Sequence, residues 1–329
     1  MITDLTLPIG VGIVGTGYAA QKRAETIGAE DRAQLIAAAG NTPQKLQEFC
    51  ELNGIDAAAS WHQLVNAPNL DLIFVCTVNH HCGAIAKAAL TAGKHVVVEY
   101  PLALDADCAA EIIELAKNEQ KLLHIEHIEI IGGLHLAVKS YLPQIGEVFY
   151  ASYSTITPQH PFKPSWKYHR QMFGFPLCAA LSRIHRLTDL FGTVASVNCH
   201  YRDWGEADSD YFTACFCQAQ LNFQNGVRAD VTYGKGDRFW QSDRTLEICG
   251  SHGKIIFRGQ KGILIREGQE LEIPVVSRRG LFQRDTTMVL DRLCEGKPLY
   301  VRPQASLYAL KIANAAQKSA ALGQIVALY

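Results

Sequence analysis

Ile9-Gly10-Val11-Gly12-Ile13-Val14-Gly15-Thr16-Gly17-Tyr18-Ala19-Ala20 stands near the start of the chain. The run Ile9–Val14 has the length and near-continuous hydrophobicity of a strand buried on both faces. It ends in Gly-x-Gly-x-x-Ala, the fingerprint of a turn that cradles a dinucleotide. Gly15 allows the tight turn, Gly17 lets the backbone approach a pyrophosphate, and Ala20 allows close packing of helix on strand. A helix beginning at Tyr18 would offer its free N–H groups and the positive end of its dipole to the phosphates. Gly15, Thr16, Gly17, Tyr18 and Ala19 are therefore candidate cofactor-binding residues.

The same texture continues outward. Strands are expected at Gln34–Ala39, Leu72–Cys76, His95–Glu99 and Lys121–Ile125. Helices are expected near Tyr18–Ile27, Pro43–Asn53, His81–Ala92 and Ala106–Asn118. Alternating apolar strands and helices predict a doubly wound parallel sheet, the Rossmann arrangement, covered on both faces. Beyond about residue 146 the texture changes to strand candidates separated by glycine-rich turns: Glu147–Thr157, Val194–Tyr201, Tyr211–Phe223, Gly226–Tyr233, Thr245–Cys249 and Lys254–Phe257. One helix, Leu177–Phe191, interrupts them, and two more, near Gly280–Cys294 and Pro303–Leu322, close the chain. This predicts an α+β domain with a mostly antiparallel, open sheet. The expected division is a dinucleotide domain over 1–127 and a substrate domain over 128–329, with a closing C-terminal helix packing back near the first domain.

Bulk properties narrow the function. The chain has 329 residues, 48% hydrophobic and 19% charged, with a formal net charge of −1. That is a globular composition with no basic stripe, so no nucleic-acid partner is expected. The lead-in Met1–Pro8 lacks the features of a signal peptide, and no apolar run is long enough to span a bilayer. Ten scattered cysteines without a CxxC pair read as free thiols of a reducing, cytoplasmic compartment. Cys215 and Cys217 would share one face of a strand.

The second strand ends Ala39-Gly40-Asn41-Thr42, with no acid at the turn where NAD enzymes hold the ribose 2′-hydroxyl. Nothing there repels a 2′-phosphate, and Asn41 and Thr42 can donate to it. Lys45 or Arg23 would add charge. NADPH is the expected cofactor, with NADH a weaker alternative; Asn41 and Thr42 would also serve as ordinary helix-capping residues.

Three further stretches resemble the glucose–fructose oxidoreductase and inositol dehydrogenase family. Thr77-Val78-Asn79 resembles its T-P-N, Glu99-Tyr100-Pro101 stands where it has E-K-P, and Gly174 to Asp189 stands where it has D-x-x-x-H-x-x-D after a glycine. The resemblance implies that Thr77, Asn79, His80, Glu99 and Tyr100 contact the cofactor. It also exposes departures. The family's proton-handling Lys is Tyr100 here, its His is Arg186, its earlier Asp is Ser182, and Cys82 follows His80 and His81 where another His stands. Arginine does not act as a general base near neutral pH, so the alcohol-oxidising machinery is missing.

The departures resemble one branch of that family, the biliverdin reductases, especially the cyanobacterial type. The segments that carry this are Val98–Leu102, His124–Glu129, Phe173–Leu177, Ala180–Arg183 and Ser277–Phe282. The resemblance implies NADPH-dependent reduction of the central methine carbon of a linear tetrapyrrole, biliverdin. Arg183 and Arg186, three apart on an apolar helix, would stabilise developing charge and help deliver a proton to a pyrrole nitrogen. Either could instead be held in a salt bridge, with Asp189 or another acid. Tyr100 would support the nicotinamide or the bilin. Glu126 and His127 would line the site or be satisfied buried polar groups; on a strand, His124 and Glu126 face away from His127, so no metal is expected. Trp166, Tyr168, Phe173, Phe175 and Trp240 are candidates for an apolar wall. Lys167, Arg170, Lys235, Arg238, Arg278 and Arg279 are candidates for the propionates. A sugar or cyclitol dehydrogenase, and a bilin- or NADPH-binding regulator without catalysis, are the competing readings. A monomer is preferred over a homodimer.

Overall fold

The computed structural model describes residues 5–328; Met1–Asp4, part of the polar lead-in, and Tyr329 lie outside the described residues. The chain divides into two compact units. The first takes in the described residues up to Ile128 together with Arg279–Leu307; the second takes in Glu129–Arg278 and the described residues from Tyr308 on.

The first unit begins β1 (Ile9–Val14), α1 (Tyr18–Ile27), β2 (Ala33–Ala39), α2 (Pro43–Asn53), β3 (Asp56–Ala57), α3 (Trp61–Val65) and β4 (Leu72–Val75). It continues α4 (Asn79–Thr91), β5 (His95–Glu99), α5 (Ala106–Asn118) and β6 (Leu123–Glu126). Six strands form a parallel sheet in the order β3-β2-β1-β4-β5-β6. Its central strands β1 and β4 are buried throughout, as their unbroken hydrophobicity requires. The order reverses direction beside β1, which places the fingerprint turn at the switch point where such sheets bind ligands.

The second unit contains α6 (Gly133–Tyr141), β7 (Val148–Pro158), α7 (Arg170–Phe173), α8 (Pro176–Ala179), α9 (Ser182–Phe191), β8 (Val194–Trp204) and β9 (Ala214–Phe223). It goes on through β10 (Arg228–Gly236), β11 (Asp243–Gly250), β12 (Gly253–Arg258), β13 (Lys261–Arg266) and β14 (Gln269–Ile273). Helix α10 (Leu281–Glu295) belongs to the first unit, α11 (Pro303–Leu322) leads the chain into the second, and β15 (Val326–Ala327) ends it. The nine-stranded sheet runs β14-β13-β12-β11-β7-β10-β9-β8-β15. Only β7 and β10 pair in parallel, so the mostly antiparallel sheet is observed.

One expectation is corrected. Leu177–Phe191 is not one helix: Ala180 leaves helical geometry at φ −101° and ψ 31°, and α9 starts afresh at Ser182. The break puts Ser182 and Arg183 in the first turn of a helix rather than in its middle. Helix α10 is part of the first unit's core: Val289, Leu290 and Leu293 pack with Ile9, Val11, Ile13, Leu72 and Phe74.

Candidate functional site

The fingerprint turn has the geometry its glycines predict. Gly15 adopts φ +124°, and a Cβ there would lie 2.1 Å from the Cys76 carbonyl oxygen. Gly17 caps α1 in an extended conformation, and a Cβ on it would meet nothing within 4 Å. That is open space over a helix N-terminus, the approach a pyrophosphate needs. Tyr18 lies on the surface, edge-on to Phe282 at 5.9 Å. Gly40, Asn41 and Thr42 are exposed, and the Thr42 side chain makes no capping hydrogen bond. Both side chains stand open to an incoming phosphate. Asn79 is buried at the start of α4; Thr77 is half-buried, and His80 is exposed, its ring 5.2 Å edge-on from His81.

Arg23 is not near the Asn41 turn in role: it is fully buried and committed elsewhere. Its Nε and Nη2 donate to Glu99 Oε1 at 3.1 and 3.0 Å, and Nη1 donates to Asp285 Oδ2 and, at 2.9 Å, to Thr286 Oγ1. Phe74 and Phe282 flank the guanidinium at 5.4 and 5.0 Å. Asp285 is also bonded to His124 Nε2 at 2.7 Å and receives the Tyr300 hydroxyl at 2.6 Å. Burial opposes its charge, but Arg23 and His124 hold its carboxyl well below the usual range.

Glu126 and His127 are buried. Glu126 Oε1 accepts from the Ile128 amide at 2.5 Å. Burial first, then the nearby charges of Glu99 and Asp285, pushes its carboxyl well above the ordinary value. His127 Nε2 bonds Ser306 Oγ at 2.8 Å, and its ring stacks on Tyr100 with centroids 5.2 Å apart. Tyr100 is thus fixed beside the turn that carries Glu99. Among the described residues no group of three or more His, Cys, Asp or Glu side chains is arranged to hold a metal ion.

Arg183 and Arg186 lie in the second unit. Arg183, half-buried, donates from Nε to Thr155 Oγ1 at 3.3 Å and from Nη1 to Ser182 Oγ at 2.8 Å. Arg186 is 1% exposed and donates from Nη2 to Glu129 Oε2 at 3.1 Å, with the Tyr153 ring 5.6 Å away. Its Nε and Nη1 are buried with no hydrogen-bond partner among the described residues. Its acid is Glu129, not Asp189, and Glu129 also accepts from Arg278. Asp189 is occupied by His135 Nε2 at 2.7 Å and Lys139 at 2.9 Å, which keep its carboxyl far below the ordinary range.

The aromatic and basic candidates separate sharply. Tyr168, Phe173 and Phe175 are core residues, whereas Trp240 is 85% exposed and stacked on His160 at 4.3 Å. Lys235 is caged by Phe173, Tyr168 and Phe212 and donates to the Lys167 carbonyl. Arg170 is paired with Asp203. Lys167 and Arg238 remain at the surface. Sequence reasoning missed Glu129 as the partner of Arg186, and Asp285 and Tyr300 as supports of the Glu99 turn. Nothing local marks them, because each partner lies far along the chain.

The first unit matches the model of an "Oxidoreductase family, NAD-binding Rossmann fold" over residues 9–127, and residues 143–328 match the same family's "C-terminal alpha/beta domain". The chain belongs to the GFO/IDH/MocA oxidoreductase family. This family member is similar, at 51% identity and a TM-score of 0.94, to the biliverdin reductase of Synechocystis sp. PCC 6803 solved with biliverdin and NADP+; the likeness covers 95% of this chain and 99% of that one. It is also similar to mouse biliverdin reductase A, 26% identical over 205 residues, and to the human protein, 28% over 167. These matches cover 60% and 50% of this chain, and 63% and 53% of the length of those relatives. A myo-inositol 2-dehydrogenase structure from Lactobacillus plantarum shares the fold, with 19% identity and a TM-score of 0.80 over 98% of this chain and 100% of that one.

Proposed function

We propose that this family member catalyses the NADPH-dependent reduction of biliverdin to bilirubin. The observation that carries the reading is the 51% identity, across 95% of the chain, to the Synechocystis protein solved with biliverdin and NADP+. The residues fit the cofactor. The open space over Gly17 admits a pyrophosphate, and the exposed, acid-free Asn41–Thr42 turn suits a 2′-phosphate. Gly15, Thr16, Gly17, Tyr18, Ala19, Thr77, Asn79, His80, Glu99 and Tyr100 complete the set that would hold it. When bound, the nicotinamide supplies a hydride.

The chain's own residues handle the charge that follows. Hydride arriving at the central methine carbon pushes an electron pair into the conjugated pyrroles, and one proton must then bond to a pyrrole nitrogen. Arg183 is the fixed cation at that point, held by Thr155 and Ser182. It stabilises the developing anion and orients the water that passes the proton, because a guanidinium keeps its own protons. Arg186 reinforces the positive field from its buried place beside Glu129. The sugar and cyclitol alternative lacks support, since Tyr100, Ser182 and Arg186 stand where that chemistry needs Lys, Asp and His.

The test is optical. Purified protein is mixed with biliverdin and NADPH, and the visible spectrum is followed beside Arg183→Ala. Loss of the red-absorbing biliverdin band with growth of the yellow bilirubin band is expected, with a collapse in the variant of roughly a hundredfold or more. A spectrum that shifts on mixing but never turns over would make the protein a binder. Equal rates in the variant would remove Arg183 from the mechanism.

A further inference from the structure

Two carboxyl groups stand side by side at the carboxyl edge of the parallel sheet. Glu99 and Glu126 end neighbouring strands β5 and β6 and are direct register partners. Residues in register on adjacent strands point to the same face. The two carboxyls have different surroundings. The Glu99 side chain is 16% exposed, and two donors of Arg23 converge on its Oε1. Glu126 is buried at 2% exposure and has no cation of its own; its bond comes from the Ile128 amide.

The groups around the pair explain how it divides its charge. Arg23 lies between Glu99 and Asp285, so one cation faces three acids: Glu99, Glu126 and Asp285. His124 and Tyr300 are turned to Asp285, and His127 to Ser306. Cys76, half-buried, also lies against this cluster, and its thiol is pushed up by desolvation and then by Glu99. A single guanidinium shared in this way cannot neutralise three carboxylates, two of which, Glu126 and Asp285, are closed to water. The cheapest arrangement leaves Asp285 charged, where the hydrogen bonds are, and keeps Glu126 as the acid.

We propose that the buried Glu126, in register beside Glu99, holds a proton and is the proton reserve for the reduction, with Arg23 as the positioning residue of the cluster. This rests on the biliverdin reading above, whose reaction consumes one proton for each hydride. The balance is simple. An O–H bond of Glu126 breaks, an N–H bond of a pyrrole forms, and the carboxylate left behind regains a proton from water before the next turnover. Glu99, the more exposed member, is the outlet of the pair.

The sign of the pH dependence follows. The store is full below the raised value of Glu126 and empties as pH rises through it, so kcat should fall on the alkaline side. Glu126→Gln keeps the acceptor for the Ile128 amide and the neutral charge but has no proton to give. Its kcat should fall by about a hundredfold, lose the alkaline limb, and leave the KM values for NADPH and biliverdin nearly unchanged. Glu99→Gln removes the like charge that raises Glu126, so at saturating cofactor its alkaline limb should move to lower pH. Arg23→Lys, which keeps the cation, should retain the wild-type limb.

A second reading needs no turnover. The infrared spectrum at neutral pH should show a protonated-carboxyl C=O band in the unsubstituted protein that is missing from Glu126→Gln. If that band is absent, or if Glu126→Gln keeps wild-type kcat and its alkaline limb, the proton reserve is refuted while the biliverdin reading stands. If the unsubstituted protein does not reduce biliverdin at all, the biliverdin reading falls and with it the catalytic use of the pair. The infrared band then decides the stored proton alone.

Discussion

Replacing Arg23 with methionine should cost the first unit about 3–5 kcal/mol, the range for removing one partner of a buried ion pair. The magnitude rests on what the substitution strands. Methionine keeps much of the stem between Phe74 and Phe282 but removes donors to Asp285, Thr286 and Glu99. Glu99 can recover some hydration because it is half-buried, whereas Asp285 is sealed and would keep only His124 and Tyr300. The loss should depend on pH. The Asp285 carboxyl is depressed in the folded protein, so its stabilisation is present above the unfolded value of about 3.9 and disappears as pH falls through the folded one. The gap between wild type and Arg23→Met should therefore be widest near neutrality and narrow toward pH 3. Urea unfolding followed by far-ultraviolet circular dichroism measures it. The double variant with Asp285→Asn should lose less than the sum of the singles, because the stranded charge is gone. A loss under about 1 kcal/mol for Arg23→Met at pH 7 would refute the reasoning that this cation holds the unit together.

Other substitutions separate fold from function. Gly15→Ala should destabilise the first unit, since the added Cβ would collide with the Cys76 carbonyl at a positive φ. Gly17→Ala should leave the melting temperature unchanged but raise the KM for NADPH, because its Cβ would point into open space; equal melting losses in both would contradict this. Asn41→Asp should weaken NADPH by about tenfold or more while sparing NADH, by placing like charge at the 2′-phosphate; steady-state kinetics with both cofactors decides. Lys235→Met should stabilise the second unit most below pH 7. Burial lowers the amine from 10.5 to about 7, so between those values the unfolded chain binds a proton that the folded one does not. Stability of the wild type then rises with pH, and the advantage of the methionine variant should shrink toward pH 10, as thermal unfolding across that range would show.

Much of the first unit was legible because each βα step announces itself: apolar runs for β1, β4 and β5, and a glycine turn with one steric solution. The second unit was less so. Strand β14 is only five residues long and exposed at four of them, so its short Glu-Leu-Glu-Ile alternation buries Ile273 alone, and its pairing with β13 makes it a strand. Helix α6 begins at Gly133 behind an N-cap Gly132, in the stretch between the two textures where no element was assigned from the sequence. The apolar continuity of Leu177–Phe191 hid the break at Ala180, a local backbone departure that composition does not record. In the site, the residue types were visible but their partners were not. Arg23 and Asp285 are 262 residues apart, and Arg186 and Glu129 are 57 apart. Such pairings are set by tertiary packing, which also turned Tyr168, Phe173 and Phe175 from wall candidates into core.

The proposed reaction turns on direct hydride transfer from the nicotinamide to the central methine carbon of biliverdin. It is tested by turnover with NADPH carrying deuterium on the transferring face of C4, followed by mass and NMR analysis of the product. Bilirubin with one deuterium at the central bridge carbon is the expected product. Bilirubin with protium at that carbon, or no reduction of biliverdin at all, would contradict it.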